Sequence, residues 1–105
     1  MANWGFTDEE IDTIRKRDTA CVYCGKKMLP HFSRTNQKDS PTIEHLHHEA
    51  PFRKHEGLKL EGLAICCGDC NSRRSNKDLR AWLKERGIPE DAVAQPVRHY
   101  LASRK

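Results

Sequence analysis

Four cysteines of this chain occur as two Cys-x-x-Cys pairs, Cys21 with Cys24 and Cys67 with Cys70. Each pair can form one knuckle, and two knuckles close a tetrahedron of thiolates around Zn²⁺. A glycine beside each pair favours the tight backbone that a knuckle needs. Because four thiolates fill the coordination sphere, we expect this zinc to be structural and any catalysis to take place elsewhere.

The fifth cysteine and the N-terminal sequence argue against a disulfide framework. Cys66 makes the number of cysteines odd, and no apolar N-terminal stretch resembles a signal peptide or a membrane span. We therefore expect a cytoplasmic, reducing compartment, where paired cysteines bind metal, and no membrane partner. Cys66 precedes Cys67 in a predicted strand, so its side chain should point to the opposite face, into the core.

A second group of residues able to do chemistry lies between and just after the cysteine pairs. Four of the six histidines fall within eleven residues between the pairs: His45, His47, His48 and His55. Glu44 precedes the first of them, and Asn71 follows the last cysteine. Carboxylate and amide oxygens suit Mg²⁺ or Mn²⁺, and an imidazole can take a proton from water at neutral pH. Glu44, His45 and Asn71 are therefore candidates for metal-assisted phosphodiester hydrolysis.

The elements that must position these residues form a small α+β domain. The chain has 105 residues, of which 36% are hydrophobic and 32% are charged. Its hydrophobic core should therefore be small, and we expect a bound metal to stabilise the fold. A helix over about 7–18 begins at a capping box formed by Thr7 and Glu10. Short strands are predicted at 41–46 and 63–66.

Two further helices are predicted in the C-terminal half. One runs from Gly68 to Gly87, with Asp69 placed to cap it. The other covers about 89–103, where Pro96 should interrupt or kink it. The zinc would then hold the loop before the first strand against the first turn of the Gly68 helix, so that strands and helix enclose one cleft.

Basic residues cluster on both sides of that cleft. The net charge of +4 permits a polyanionic partner without requiring one. Arg73, Arg74, Lys77 and Arg80 follow Asn71, and Arg53, Lys54 and Lys59 lie on the connection between the strands. The spacing of Arg73, Lys77 and Arg80 places them on one helical face. We expect such residues to contact phosphates without reading the base sequence.

Taken together, the two Cys-x-x-Cys pairs, the Glu-His dipeptide between them and the final Cys-Asn resemble the HNH endonuclease family, with its ββα-metal, treble-clef-like motif. The resemblance spans about 21–79. It implies a single HNH nuclease domain over 1–105, with a core at about 20–87 flanked by the terminal helices. By position, Glu44 corresponds to the family's acidic metal ligand, His45 to its general base and Asn71 to the metal ligand on the helix.

The resemblance also implies an activity and its cofactors. The expected reaction is hydrolysis of DNA, duplex or structured, to 3′-hydroxyl and 5′-phosphate ends by an enzyme that is a monomer or weak dimer. One site would nick one strand, with weak sequence preference. Zn²⁺ would be structural, and Mg²⁺ or Mn²⁺ would be catalytic.

The sequence departs from the family pattern at three points. Glu44 replaces the usual aspartate and is one methylene longer. The family's middle asparagine would fall near Gly62, where the chain has none, so His47, His48 or the backbone are candidates for its role. Asn76 competes with Asn71 for the last position of the motif.

Two other functions remain open at this point. A non-catalytic zinc module would bind nucleic acid without metal-dependent nicking. A protein-interaction domain built on the same zinc fold would have no affinity for DNA at low salt.

Overall fold

The computed structural model describes residues 4–47 and 60–103. Within these ranges the chain forms four helices and one two-stranded sheet, in the order α1 (Asp8–Arg17), β1 (Pro41–His45), β2 (Leu63–Cys67), α2 (Gly68–Arg74), α3 (Leu79–Arg86) and α4 (Gln95–Ala102). Short 3₁₀ turns at Gln37–Asp39 and Leu60–Gly62 precede the two strands. The predicted α+β class is confirmed.

Helix α1 begins as its sequence predicts. The Glu10 amide donates to the Thr7 hydroxyl (3.1 Å), and the Thr7 amide donates to the Glu10 carboxylate (2.9 Å), which completes the capping box. At the other end, the buried Asp18 carboxylate accepts the Ile65 amide of β2 (2.9 Å). Arg17 donates to the same carboxylate at 2.8 Å. Helix α1 is thus attached to the sheet by its last turn.

The sheet is an antiparallel pair whose register runs from Pro41 opposite Cys67 to His45 opposite Leu63. Side chains alternate between its faces. Thr42 and Glu44, with Cys66 opposite Thr42, therefore lie on one face, and His45 lies on the other. Strand β2 continues directly into α2, which fixes the start of this helix at the end of the sheet.

The predicted single helix from Gly68 to Gly87 is wrong, because the structure has two helices there. Ser75 has a positive φ of 50°, which ends α2. Asp78 then accepts the Ala81 amide on its side chain (3.1 Å) and starts α3. Gly87, at φ 71°, ends α3 where the sequence predicts.

The predicted helix start near Pro89 and the break at Pro96 are also wrong. Helix α4 begins only at Gln95, so Pro96 lies in its first turn. A proline is tolerated there because first-turn amides have no partner within the helix. The preceding Ala94 amide donates to the Val22 carbonyl (2.9 Å), which attaches the C-terminal segment to the first cysteine knuckle.

The core joins the sheet to the helices on both sides. The Tyr23 and Trp82 rings meet edge to face with centroids 5.1 Å apart. Other fully buried residues come from the first knuckle, the strands, the segments that flank them, α3 and α4: Val22, Leu46, Leu63, Ile65, Leu83 and Val97. None of the helices within the described ranges is both long enough and apolar enough to cross a bilayer.

Candidate metal centre and active site

The sulfur atoms of Cys21, Cys24, Cys67 and Cys70 form one cluster at the start of α2. All four Sγ atoms lie within 4.8 Å of one another, and those of Cys24 and Cys67 are 3.9 Å apart. A tetrahedral zinc ion with Zn–S bonds of about 2.3 Å requires sulfur atoms about 3.8 Å apart. The cluster is therefore compatible with a structural zinc ion, as the cysteine spacing predicts.

Backbone hydrogen bonds shape both knuckles. In the first knuckle, the Gly25 amide donates to the Cys21 carbonyl (2.9 Å), and Gly25 has a φ of 77°. In the second knuckle, the Cys70 amide donates to the Cys67 sulfur at 3.4 Å. Cys67, and not the predicted Asp69, therefore caps α2, because its sulfur accepts an amide that has no acceptor within the helix.

Hydrogen bonds among the thiols of Cys21, Cys67 and Cys70 move their pKa values in opposite directions. Bonds from Cys67 and Cys70 hold the pKa of the Cys21 thiol far below its usual value, although burial opposes them. The hydrogen bond to Cys21 raises the pKa of Cys67 to about 11 and raises that of Cys70 well above its usual range. Four neighbouring sulfurs cannot all be thiolates without a cation among them, and zinc would supply that cation.

One of the four cysteines of the cluster is exposed. Cys24 is exposed, whereas Cys21, Cys67 and Cys70 are buried. Close by, the Lys26 ammonium pairs with Asp39 at 2.8 Å. The hydrogen bond to Asp39 raises the pKa of Lys26, and the nearby Cys67 and Cys24 add to this effect. A lysine in this position offsets part of the negative charge that four thiolates place on zinc.

Asn71 lies in α2 and faces β1. Its Nδ2 atom donates to the Thr42 hydroxyl oxygen (3.0 Å) and to the Ile43 carbonyl (3.3 Å). Among the described residues, no donor reaches its Oδ1 atom. Asn76, the alternative for the same position of the motif, is exposed in the turn between α2 and α3 and has no such contact with β1.

Glu44 lies on the same face of β1 as Thr42, but its carboxylate is buried. Its Oε2 atom accepts from the Tyr23 hydroxyl at 2.7 Å and from Arg74 Nη1 at 3.1 Å. A divalent cation at this oxygen would face the positive guanidinium and would displace both donors. Both donors occupy Oε2, and the predicted role of Glu44 as a ligand of a catalytic Mg²⁺ or Mn²⁺ ion stays a prediction.

Arg74 differs most from the sequence-based expectation. We predicted it on a DNA-facing surface, but it is 2% exposed and its guanidinium lies between α2 and the end of β1. It donates to the Glu44 carboxylate and to the His45 and Leu46 carbonyls at 2.9–3.1 Å. A phosphate cannot reach this side chain, so its assignment as a DNA contact is wrong.

His45 lies on the opposite face of β1 from Glu44. Its ring is 6% exposed and meets the Trp4 ring edge to face at 5.1 Å, with the His47 ring at 6.2 Å. The structure thus brings Asn71 and Glu44 to one face of β1 and places His45 at its end on the other. His48, the second candidate to replace the family's middle asparagine, lies outside the described residues.

The predicted nucleic-acid contacts divide into three groups. Arg53, Lys54 and Lys59 lie outside the described residues. Arg73 and Lys77 are exposed, and they pair with Asp69 (3.0 Å) and Glu85 (3.4 Å). Arg80 pairs with Glu90 at 2.8 Å. The predicted common face of Arg73, Lys77 and Arg80 is wrong, because the first lies on α2, the third on α3 and Lys77 in the turn between them.

Sequence reasoning missed the role of Tyr23. Its hydroxyl donates to Glu44, and burial together with the Glu44 charge raises the pKa of Tyr23 well above its usual value, so the phenol stays protonated. The only sequence signal was the position of Tyr23 between two metal-binding cysteines. Nothing in that signal indicated a carboxylate partner from a strand about 20 residues further along the chain.

Comparisons with protein-family models, with curated proteins and with solved structures find no match to this chain.

Proposed function

We propose that the chain is an HNH-type endonuclease that hydrolyses phosphodiester bonds of DNA and uses zinc as a structural ion. One observation carries the proposal: Asn71, directly after the last cysteine of the cluster, is hydrogen-bonded to β1 through Thr42 Oγ1 and the Ile43 carbonyl. A hairpin continued by a helix, with a polar residue of that helix against the first strand, is the arrangement that the resemblance to HNH nucleases implies.

His45, which lies at the end of β1 on the face opposite Asn71, is the residue of this proposed site that would act on water. A neutral imidazole, with an ordinary pKa of about 6.5, can accept a proton near pH 7. The resulting hydroxide attacks phosphorus, the bond to the 3′ oxygen breaks, and that oxygen takes a proton from solvent water, while His45 returns its own proton to solvent. The products are a 3′-hydroxyl and a 5′-phosphate, as the resemblance implies.

We also propose that cleavage requires a catalytic Mg²⁺ or Mn²⁺ ion, and the metal dependence of cleavage tests this requirement. Among the proposed ligands, the Asn71 Oδ1 atom is a hard oxygen that suits such an ion. Glu44 gives no support for this cation site, because its carboxylate is paired with Arg74.

Substrate binding would depend on phosphate contacts. Arg73 and Lys77 keep exposed side chains near the helix that carries Asn71. Their ion pairs with Asp69 and Glu85 are exposed and therefore weak, so phosphates can replace the carboxylates. Affinity should fall steeply with salt and depend little on base sequence. A monomer with one site would nick a single strand.

A second function is favoured by one specific observation. The buried Glu44–Arg74 pair removes an acidic group from the proposed site, which is what a non-catalytic zinc module for binding nucleic acid would tolerate. Such a module would bind DNA with the same salt dependence and would not cut it.

Cleavage of supercoiled plasmid decides between these functions. The protein is dialysed against EDTA, its retained zinc is measured, and Mg²⁺, Mn²⁺ or Zn²⁺ is added in turn. We expect metal-dependent nicking by the wild type and at least a ~100-fold slower rate for His45→Ala. The matched control is His99→Ala, since His99 is exposed on α4, and it should cut at the wild-type rate.

The zinc content and circular dichroism of each variant separate loss of chemistry from loss of fold. Nicking by His45→Ala at the wild-type rate would show that the base is another group. DNA binding in a gel-shift assay, without nicking under any metal, would establish the non-catalytic module instead.

A further inference from the structure

All three guanidinium nitrogens of Arg74 donate hydrogen bonds close to the end of β1. Nη1 donates to the Glu44 carboxylate and the His45 carbonyl (both 3.1 Å), and Nη2 donates to the Leu46 carbonyl (2.9 Å). Nε donates to the Lys77 carbonyl beyond the end of α2 (3.1 Å). One side chain therefore binds the last residues of β1 to the segment that follows α2.

The charge of this arginine is well compensated although it is buried. Burial alone would lower the pKa of Arg74, but the neighbouring Tyr23 and Glu44 raise it above its usual value. Burying a guanidinium is costly unless its donors are matched, and here each nitrogen has an acceptor. The Glu44 carboxylate is the partner that balances its charge.

The position of these contacts relates Arg74 to His45. The sheet ladder ends at the pair His45–Leu63, so the carbonyls of His45 and Leu46 lie where strand pairing stops. The two arms of a planar guanidinium can hold two adjacent carbonyls in a fixed orientation, whereas a lysine ammonium cannot. The backbone that carries the imidazole is thereby fixed from the α2 side of the sheet.

We propose that Arg74 is a positioning residue that orients His45, and that Glu44 serves as its counter-ion and not as a ligand of the catalytic cation. The catalytic part of this inference rests on the proposed nuclease function. The structural part, the orientation of the imidazole, does not.

The kinetic test compares Arg74→Lys with Arg98→Lys in plasmid nicking. Arg98 is exposed on α4 and has no part in the proposed site, so it controls for the replacement of an arginine by a lysine. We expect Arg74→Lys to lower kcat about 10- to 100-fold because the base is displaced, with KM within about two-fold of wild type. Arg98→Lys should leave kcat unchanged. A normal kcat in Arg74→Lys would overturn the proposal.

The counter-ion role of Glu44 is tested with Glu44→Gln. The Mn²⁺ concentration for half-maximal nicking should stay within about three-fold of wild type, because Glu44 does not bind the ion. A rise of ten-fold or more would make Glu44 a cation ligand and overturn this part. If Glu44→Gln does not retain zinc, the double variant Glu44→Gln/Arg74→Gln, which removes both buried charges, takes its place.

A spectroscopic readout keeps the inference testable without activity. The His45 imidazole resonances, assigned by their loss in His45→Gln, are followed over pH by NMR in wild type and in Arg74→Lys. Altered shifts and pKa of His45 in Arg74→Lys, with zinc content retained, support the positioning role even if the wild type never nicks DNA. Unchanged resonances would overturn it. The absence of nicking alone would refute only the proposed function.

Discussion

Gly68 controls how closely α2 approaches the turn at Gln37–Asp39. Its amide donates to the Ser40 carbonyl at 3.0 Å. A Cβ atom at this position would lie 1.9 Å from the Gln37 carbonyl oxygen and 2.8 Å from its carbon. Those atoms are backbone and cannot rotate away, so only a residue without a side chain allows this contact.

Replacement of Gly68 by alanine should therefore destabilise the protein by ~1–3 kcal/mol or more, because α2 must move off the turn. Gly87→Ala is the matched control: Gly87 has a φ of 71° but open space around its Cβ position. It should cost only ~1 kcal/mol, from the left-handed backbone alone. Urea denaturation of the zinc-loaded proteins measures both, and equal losses would contradict the steric argument.

Asn71 gives a second prediction at the residue scale. Asn71→Ala removes two hydrogen bonds to β1 and should cost ~1–2 kcal/mol of stability, and in the proposed nuclease it should also abolish most nicking. Asn76→Ala, in the exposed turn, should leave both properties unchanged. Urea denaturation and plasmid nicking test this pair. Greater loss of nicking in Asn76→Ala would assign the last position of the motif to Asn76.

At the scale of elements, α1 packs Ile14 into the core and is also attached to the sheet by polar contacts at its C-terminal end. The Asp18 carboxylate accepts the Ile65 amide, and the Arg17 guanidinium donates both to that carboxylate and to the Leu63 carbonyl at 3.0 Å. Asp18 is 4% exposed, so these groups have little access to water that could replace a lost partner.

Asp18→Ala should accordingly cost ~2–4 kcal/mol, because it leaves a buried strand amide without an acceptor and removes the partner of Arg17. Asp12→Ala, on the same helix, should change stability by less than ~0.5 kcal/mol, since its pair with Lys16 is exposed. The measurement is the free energy of unfolding in urea. A small loss in Asp18→Ala would show that packing, and not this carboxylate, holds α1 in place.

The elements also show which features local sequence determines. The capping box of Thr7 and Glu10 and the stop at Gly87 depend on neighbouring residues, so both were predictable. The break at Ser75 was not, because serine carries no strong preference for a positive φ. The delayed start of α4 depends on the bond from the Ala94 amide to Val22, about 70 residues away in sequence.

The candidate site also contains some features that local sequence predicts and others that depend on the tertiary structure. Cysteine spacing alone predicts the metal cluster, because each Cys-x-x-Cys pair is local and zinc chemistry supplies the rest. The placement of Arg74 inside the protein could not be predicted, since an Arg-Arg dipeptide does not indicate which member faces solvent. That choice depends on where Glu44 lies after folding, which is a property of the tertiary structure.

At the scale of the whole molecule, the cysteine cluster connects segments that are otherwise distant in sequence. It brings the knuckle at Cys21 and Cys24 against the junction of β2 and α2 at Cys67 and Cys70. A chain of 105 residues with 36% hydrophobic content buries little apolar surface, so a metal at this junction would contribute a large share of its stability.

We therefore expect one zinc ion per chain, and we expect Cys67→Ala to lose it and to unfold at a much lower urea concentration. The control is Cys66→Ala, because Cys66 is adjacent, fully buried and outside the cluster; it should keep one zinc. Elemental analysis gives the stoichiometry, and far-ultraviolet circular dichroism follows unfolding. Full zinc content in Cys67→Ala would contradict the four-cysteine site.

Because Cys24 is exposed, chemical modification of the metal site should begin at this cysteine, and loss of the ion should follow. An alkylating reagent or an oxidant in solution meets this sulfur before the three buried ones. Modification at Cys24 would leave three ligands and open the fourth coordination position to a competing chelator. Mass spectrometry after brief treatment with iodoacetamide should find the first adduct on this cysteine, and release of the ion should follow at the rate of that single reaction.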